Sequence, residues 1–93
     1  MFEGRGWLIT RRRRGDVFHI DGRPFTISGF TNREVSFRFG GREYIKEYDV
    51  NRKRPFSLVA LPEVEFGVNR IEGPNIHLAI KAHKHIKIEF PKR

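Results

Sequence analysis

The amino-acid sequence predicts an all-β protein, a small barrel or sandwich of about seven or eight short strands. The first observation is an alternation of apolar and polar residues with period two, found in residues 35–39, 64–68, 76–80 and 86–90. This alternation places apolar side chains on one face of a pleated strand. The second observation is a shortage of helix formers: the chain has three Ala, and no window shows a sustained 3.6-residue apolar period. The third is the set of turn residues, such as Gly40-Gly41, that separates these runs.

In chain order, the first strand starts at Trp7-Leu8-Ile9 and runs into four arginines before a turn at Gly15-Asp16. A second strand follows at once. Later strands are expected near residues 17–20, 25–27, 35–39, 64–68, 76–80 and 86–90. A polar, basic loop is expected at residues 51–55, and a short helical turn near residues 57–62. Because 93 residues allow one small domain, we expect residues 1–93 to share a single core.

Charge and composition restrict the function classes. The formal net charge is +8 and the pI is near 10.6, which favours a polyanionic partner such as nucleic acid. The absence of cysteine excludes disulfides, thiol nucleophiles and thiolate metal sites. No apolar run approaches the roughly 18 residues of a membrane span, and arginines interrupt the first apolar patch. We therefore expect no membrane association and a cytoplasmic location.

The arginine run Arg11-Arg12-Arg13-Arg14 is the strongest local feature. Alternate residues of a strand point to opposite faces, and burying an unpaired charge is costly. The run therefore belongs at a strand end, at an exposed sheet edge or at a dimer seam. Guanidinium groups bind phosphate bidentately and stack on bases, so this strand is a candidate nucleic-acid surface.

Two blocks of the chain resemble the carbon storage regulator family of translational regulators. Residues 7–21, WLITRRRRGDVFHID, resemble the opening of that family, roughly MLILTRRxGExLxIG. Residues 64–90 resemble its later strands, including a glycine–asparagine turn at Gly73-Pro74-Asn75. Residues 22–63 form a β-rich insertion with no counterpart in the family pattern. Phe90 stands where the family has an arginine, and Arg11 stands in its threonine position.

The resemblance implies a strand-swapped homodimer that binds single-stranded or hairpin RNA with a GGA loop and represses translation without catalysis. In that family the first strand of one protomer lies beside the last strand of the other, and RNA binds across that seam. By position, Arg12 and Arg13 would contact RNA, with Arg11 beside them. The resemblance also implies that Ile9 and Thr10 offer backbone groups to RNA and that Ile86 and Ile88 lie on the facing strand. Lys92 or Arg93 would replace the charge lost at Phe90.

The insertion carries a second set of basic residues. A polar strand face is expected to hold Arg38, Arg42 and Lys46, with Tyr44 and Tyr48 as base-stacking candidates. The loop adds Arg52, Lys53 and Arg54. Residues 22–63 would then extend the RNA surface, or alternatively bind a protein partner.

Other constellations point to no chemistry. His77, His83 and His85 have strand spacing that fits three zinc ligands, but neighbouring lysines oppose binding of a dication. No serine, carboxylate pair or glycine-rich loop stands in a catalytic motif. We therefore expect no metal, no cofactor and no enzyme activity. Two alternatives stay open: a protein-interaction module, such as a phage-encoded inhibitor of a host protein, and a non-specific single-strand binder.

Overall fold

A computed structural model describes residues 6–91 of the chain. In this region the chain forms nine β-strands. They are β1 (Leu8–Arg13), β2 (Val17–Ile20), β3 (Arg23–Phe30), β4 (Glu34–Phe39), β5 (Arg42–Glu47), β6 (Phe56–Leu58), β7 (Leu61–Glu72), β8 (Asn75–Ala82) and β9 (Ile88–Glu89). The all-β prediction is confirmed, with one or two strands more than expected.

The strands form two antiparallel sheets. The four-stranded sheet has the order β1-β8-β7-β6, and the five-stranded sheet has the order β5-β4-β3-β2-β9. The chain crosses from one sheet to the other at the β1–β2 turn. There the Gly15 amide donates to the Ile27 carbonyl at 2.7 Å and the Ile27 amide donates to the Asp16 carbonyl at 3.0 Å, which fixes the turn against β3.

A phenylalanine-rich core lies between the two sheets. Phe25 is fully buried, and its ring stacks on that of Phe66 with a centroid distance of 5.1 Å and an interplanar angle of 16°. The other buried apolar residues of this core are Phe18, Ile20, Ile27, Val35, Phe37, Phe39, Leu58, Val64, Val68, Ile76, Leu78 and Ile80. The core therefore takes side chains from residues 22–63 as well as from the two blocks that resemble the carbon storage regulator family.

Two local predictions are wrong. The helical turn expected near residues 57–62 is a β-hairpin, in which Phe56 pairs with Phe66 and Leu58 pairs with Leu61. The turn of this hairpin, Val59-Ala60, has none of the Gly, Asn or Asp residues typical of such turns, so the local sequence carries no sign of it. The strand expected over residues 86–90 is reduced to Ile88–Glu89, because the Ile86 amide donates to the His83 carbonyl and closes a turn.

Candidate nucleic-acid interface

Strand β1 lies at the edge of the four-stranded sheet, and its pairing with β8 decides which arginines face outward. Directly opposed residues of an antiparallel pair share one side of the sheet. The core-facing residues of the two strands are Leu8, Thr10, Arg12, Ile76, Leu78 and Ile80. We define the outer β1–β8 face as the opposite side, which carries Trp7, Ile9, Arg11, Arg13, Asn75, His77, Ala79 and Lys81.

Arg12 belongs to the core-facing set and is held there by two contacts. Its Nε donates to Thr10 Oγ1 at 2.9 Å, and its Cζ lies 4.8 Å from the centre of the Phe90 ring. Phe90 also packs on the buried Phe18 ring at a centroid distance of 5.1 Å. Arg12 therefore covers the end of the core. The expectation that Arg12 and Arg13 contact RNA together is wrong for Arg12, because its side chain lies on the opposite side of the sheet from Arg13.

The outer β1–β8 face combines cations with aromatic and small side chains. Arg11 lies opposite His77, and Arg13 donates from Nε to Asn75 Oδ1 at 3.3 Å. The Lys81 ammonium lies 5.8 Å from the centre of the Trp7 ring. Residues 7–13 and 75–81 contain no Asp or Glu. This half of the sheet therefore presents three fixed positive charges without an acidic residue in its own strands.

The carboxylates of this sheet lie on β7, beyond β8. The Glu72 carboxylate lies 3.5 Å from Arg70 Nη2 and 3.4 Å from His77 Nε2. Glu65 lies opposite Lys81. Positive charge is thus concentrated towards the open edge of the sheet.

Ile9 and Thr10, which were expected to offer backbone groups, lie on this edge strand. One side of β1 pairs with β8, and no other strand of the described region pairs with its second side. The Thr10 side chain is 9% exposed and accepts the hydrogen bond from Arg12. Its expected contribution through the backbone is compatible with this position.

The C-terminal residues of the expected seam lie elsewhere. Ile86 and Ile88 are half-buried against the core, and Ile88 pairs with Ile20 of β2, in the five-stranded sheet. Within one chain, β9 therefore does not lie beside β1. Lys92 and Arg93 lie outside the described residues.

The second basic surface is divided between two faces. The two-residue turn Gly40-Gly41 pairs Phe39 with Arg42 and Arg38 with Glu43, so Arg38 faces outward while Arg42 and Lys46 are on the core side. Arg38 also lies 3.8 Å from the Glu43 carboxylate. The expectation of one polar face for all three residues is wrong, because the turn length reverses the alternation.

The basic loop has one anchored member. Lys53 Nζ donates to the Asn69 carbonyl at 2.9 Å and to Asn69 Oδ1 at 2.8 Å, which fixes the loop beside the bulge of β7. Arg52 forms an exposed ion pair with Asp49 at 3.7 Å, and Arg54 is exposed. Among the described residues, Arg54 is therefore the arginine of this loop whose charge is not matched by an ion pair.

The expected stacking tyrosines are packed against the core. Tyr44 lies opposite Phe37, and the Tyr48 hydroxyl donates to the Thr31 carbonyl. Burial raises the pKa of Tyr48 above its ordinary value. The aromatic residues on the basic sheet face are instead Trp7 and His77. Trp7, Ile9, Arg11 and Arg13 are alternate residues of one strand, so the sequence alone indicates that Trp7 shares a face with Arg11 and Arg13.

The histidines do not converge on a metal site. His85 Nε2 contacts Glu63 Oε2 at 2.5 Å, and the His83 ring lies 5.1 Å from that of His85. His77 belongs to β8 and contacts Glu72 instead. No group of three or more metal-binding side chains is found among residues 6–91.

The chain matches no protein-family model, no curated protein and no solved structure. None of the residues that the structure describes forms a helix of the length and apolarity needed to cross a membrane. The functional assignment therefore depends on the geometry of the outer β1–β8 face.

Proposed function

We propose that this protein is a cytoplasmic RNA-binding regulator that acts without catalysis and binds single-stranded or hairpin RNA on the outer β1–β8 face. The observation that carries the proposal is the common orientation of Arg11 and Arg13 on an edge strand, with Lys81 on the neighbouring strand. Guanidinium groups in this position bind phosphate oxygens through paired hydrogen bonds. Covering a ribosome-binding site with the bound protein would then modulate translation.

The five-stranded sheet is a poorer RNA surface. Its outer face pairs Glu34 with Glu47 and Arg38 with Glu43. Two directly opposed carboxylates repel a polyanion, and the Arg38 charge is already matched. The charge distribution therefore favours the four-stranded sheet over the five-stranded one.

The open edge of β1 also supports the proposed homodimer. Leu8 is 43% exposed and Ile9 is 38% exposed, and an unpaired edge strand is a template for pairing with another chain. A dimer joined here keeps the outer β1–β8 face accessible, because the edge and the face are different surfaces. We expect a melting temperature that rises with protein concentration. A monomer by light scattering at tens of micromolar would contradict this part of the proposal.

The RNA proposal is tested by fluorescence anisotropy with a labelled GGA hairpin and a scrambled hairpin at several KCl concentrations. Arg11→Ala/Arg13→Ala is compared with Arg33→Ala/Arg38→Ala, which removes the same charge from the region of the five-stranded sheet. If both arginines of the first pair contact phosphate, the log–log salt slope falls by ~1.4 for a single strand. The control pair should bind nearly as the parent does. Equal losses in the two variants, or no binding to either hairpin at low salt, would overturn the proposal.

A protein partner for residues 22–63 is the second candidate, favoured by two exposed apolar side chains. Ile45 on the edge strand β5 is 64% exposed, and Val59 at the β6–β7 turn is 88% exposed. A partner that docks here would be lost in an Ile45→Lys variant, whereas RNA binding would be unchanged.

A further inference from the structure

The outer β1–β8 face contains a regular series of rows. Each row joins a residue of β1 to its neighbour on β8, and the rows follow one another along the strands. Trp7 and Lys81 form one row, Ile9 and Ala79 the next, and Arg11 and His77 the third. Outward residues of one strand repeat every second residue, so neighbouring rows are ~6.7 Å apart. An extended polynucleotide has a similar repeat for each nucleotide.

The middle row lies between two aromatic positions and exposes one apolar side chain. Ala79 is fully buried and Gly67, directly opposite it on β7, is buried as well, whereas Ile9 is 38% exposed. On β8 the two flanking rows carry larger groups, the Lys81 side chain beside the Trp7 ring and the His77 ring beside Glu72. The middle row therefore offers the Ile9 side chain, and not Ala79, to a planar ring.

From this arrangement we infer that the face binds about three consecutive unpaired nucleotides, with a base stacked on Trp7 and the next base over Ile9. The third base meets His77, and Arg11, Arg13 and Lys81 neutralise phosphates along the same path. This inference rests on the proposed function and specifies its ligand. Because stacking on a side chain needs an exposed base face, paired bases inside a duplex do not fit this arrangement.

The chain contains a single tryptophan, so its fluorescence reports on this position alone. The protein is titrated with a 12-nucleotide single-stranded RNA and, separately, with the same strand annealed to its complement. We expect the single strand to quench Trp7 emission in parallel with binding measured by anisotropy of a labelled strand. The duplex should bind more weakly and leave the emission nearly unchanged.

Variants of Trp7 supply the second measurement, read by anisotropy. Trp7→Leu should weaken single-strand binding by about 5- to 100-fold, the range for loss of one stacked base. Trp7→Phe keeps an aromatic ring and should retain most of the affinity. Melting curves of both variants establish that they fold.

The two proposals fail in different ways. If the single strand binds but Trp7 emission stays constant, or if a folded Trp7→Leu variant binds as tightly as the parent, the stacking arrangement is wrong and the RNA surface stands. Equal affinity for the duplex would also overturn the single-strand assignment. If neither RNA binds at low salt, the proposed function itself is wrong.

Discussion

Replacing Arg12 by alanine should reduce stability and leave RNA affinity nearly intact. Replacing its neighbour Arg11 by alanine should weaken RNA binding and leave stability nearly unchanged. The two residues are adjacent and chemically identical, but the register with β8 sends them to opposite faces of the sheet. Arg12 bonds to Thr10 Oγ1 at 2.9 Å and lies over the Phe90 ring. Arg11 is exposed beside His77.

The magnitude for Arg12 follows from its two contacts. A hydrogen bond contributes ~0.5–1.5 kcal/mol, and a cation–π contact at a partly covered site contributes ~0.5–2 kcal/mol. The Arg12→Ala variant should therefore lose about 1–3 kcal/mol in the free energy of unfolding. For a chain of this size each kcal/mol lowers the melting temperature by about 4–8 °C. Arg11→Ala should change the free energy of unfolding by no more than about 0.5 kcal/mol.

The assay pairs thermal melts with RNA anisotropy for the two single variants. Loss of one good base or phosphate contact in Arg11→Ala should weaken RNA binding by about 1–3 kcal/mol. Measured well below its melting temperature, Arg12→Ala should bind RNA within about twofold of the parent. A folded Arg12→Ala variant with an unchanged melting temperature and a large loss of affinity would refute the assignment of faces.

Three further predictions concern the core, the loop and the alkaline limit. Phe25→Ala should cost ~3–5 kcal/mol in urea unfolding, because its fully buried ring contacts several other phenylalanines; a cost below about 1 kcal/mol would contradict the described core. Lys53→Met should lower the melting temperature more than Arg52→Ala does, because only Lys53 bonds to Asn69; the opposite order would show that the loop is not anchored there. Burial raises the folded-state pKa of Tyr48 above the unfolded value of about 10. Its contribution to stability is therefore present below pH ~10 and is lost as pH rises through the folded-state pKa, so Tyr48→Phe should flatten the alkaline part of a stability profile above about pH 10.

The alternating runs predicted the fold class and most of the core because period-2 patterns are a local property of the sequence. Phe66 and Leu78 are both buried as their patterns require. The helical turn expected near residues 57–62 is wrong because Leu58 and Leu61 close a hairpin there, and its turn Val59-Ala60 lacks the residues that usually mark one.

The candidate interface was predicted in part, and the missing information was the register. The arginine run was expected at an exposed edge, and β1 is an edge strand. Alternation shows that Arg12 and Arg13 point to opposite sides, but it does not say which side meets the core. Pairing of Arg12 with the buried Ile76 settles that choice. For Arg38, the length of the Gly40-Gly41 turn already contained the answer, because a two-residue turn fixes which residues oppose each other.

The most direct test of the RNA interface is an NMR titration of the 15N-labelled protein with a single-stranded RNA. The amide shifts report on every strand in one experiment. We predict that the largest shifts fall in residues 7–13 and 75–81, with residues 34–47 of the five-stranded sheet nearly unchanged. Shifts concentrated in residues 34–47, or no shifts at saturating RNA and low salt, would contradict an RNA surface on the outer β1–β8 face.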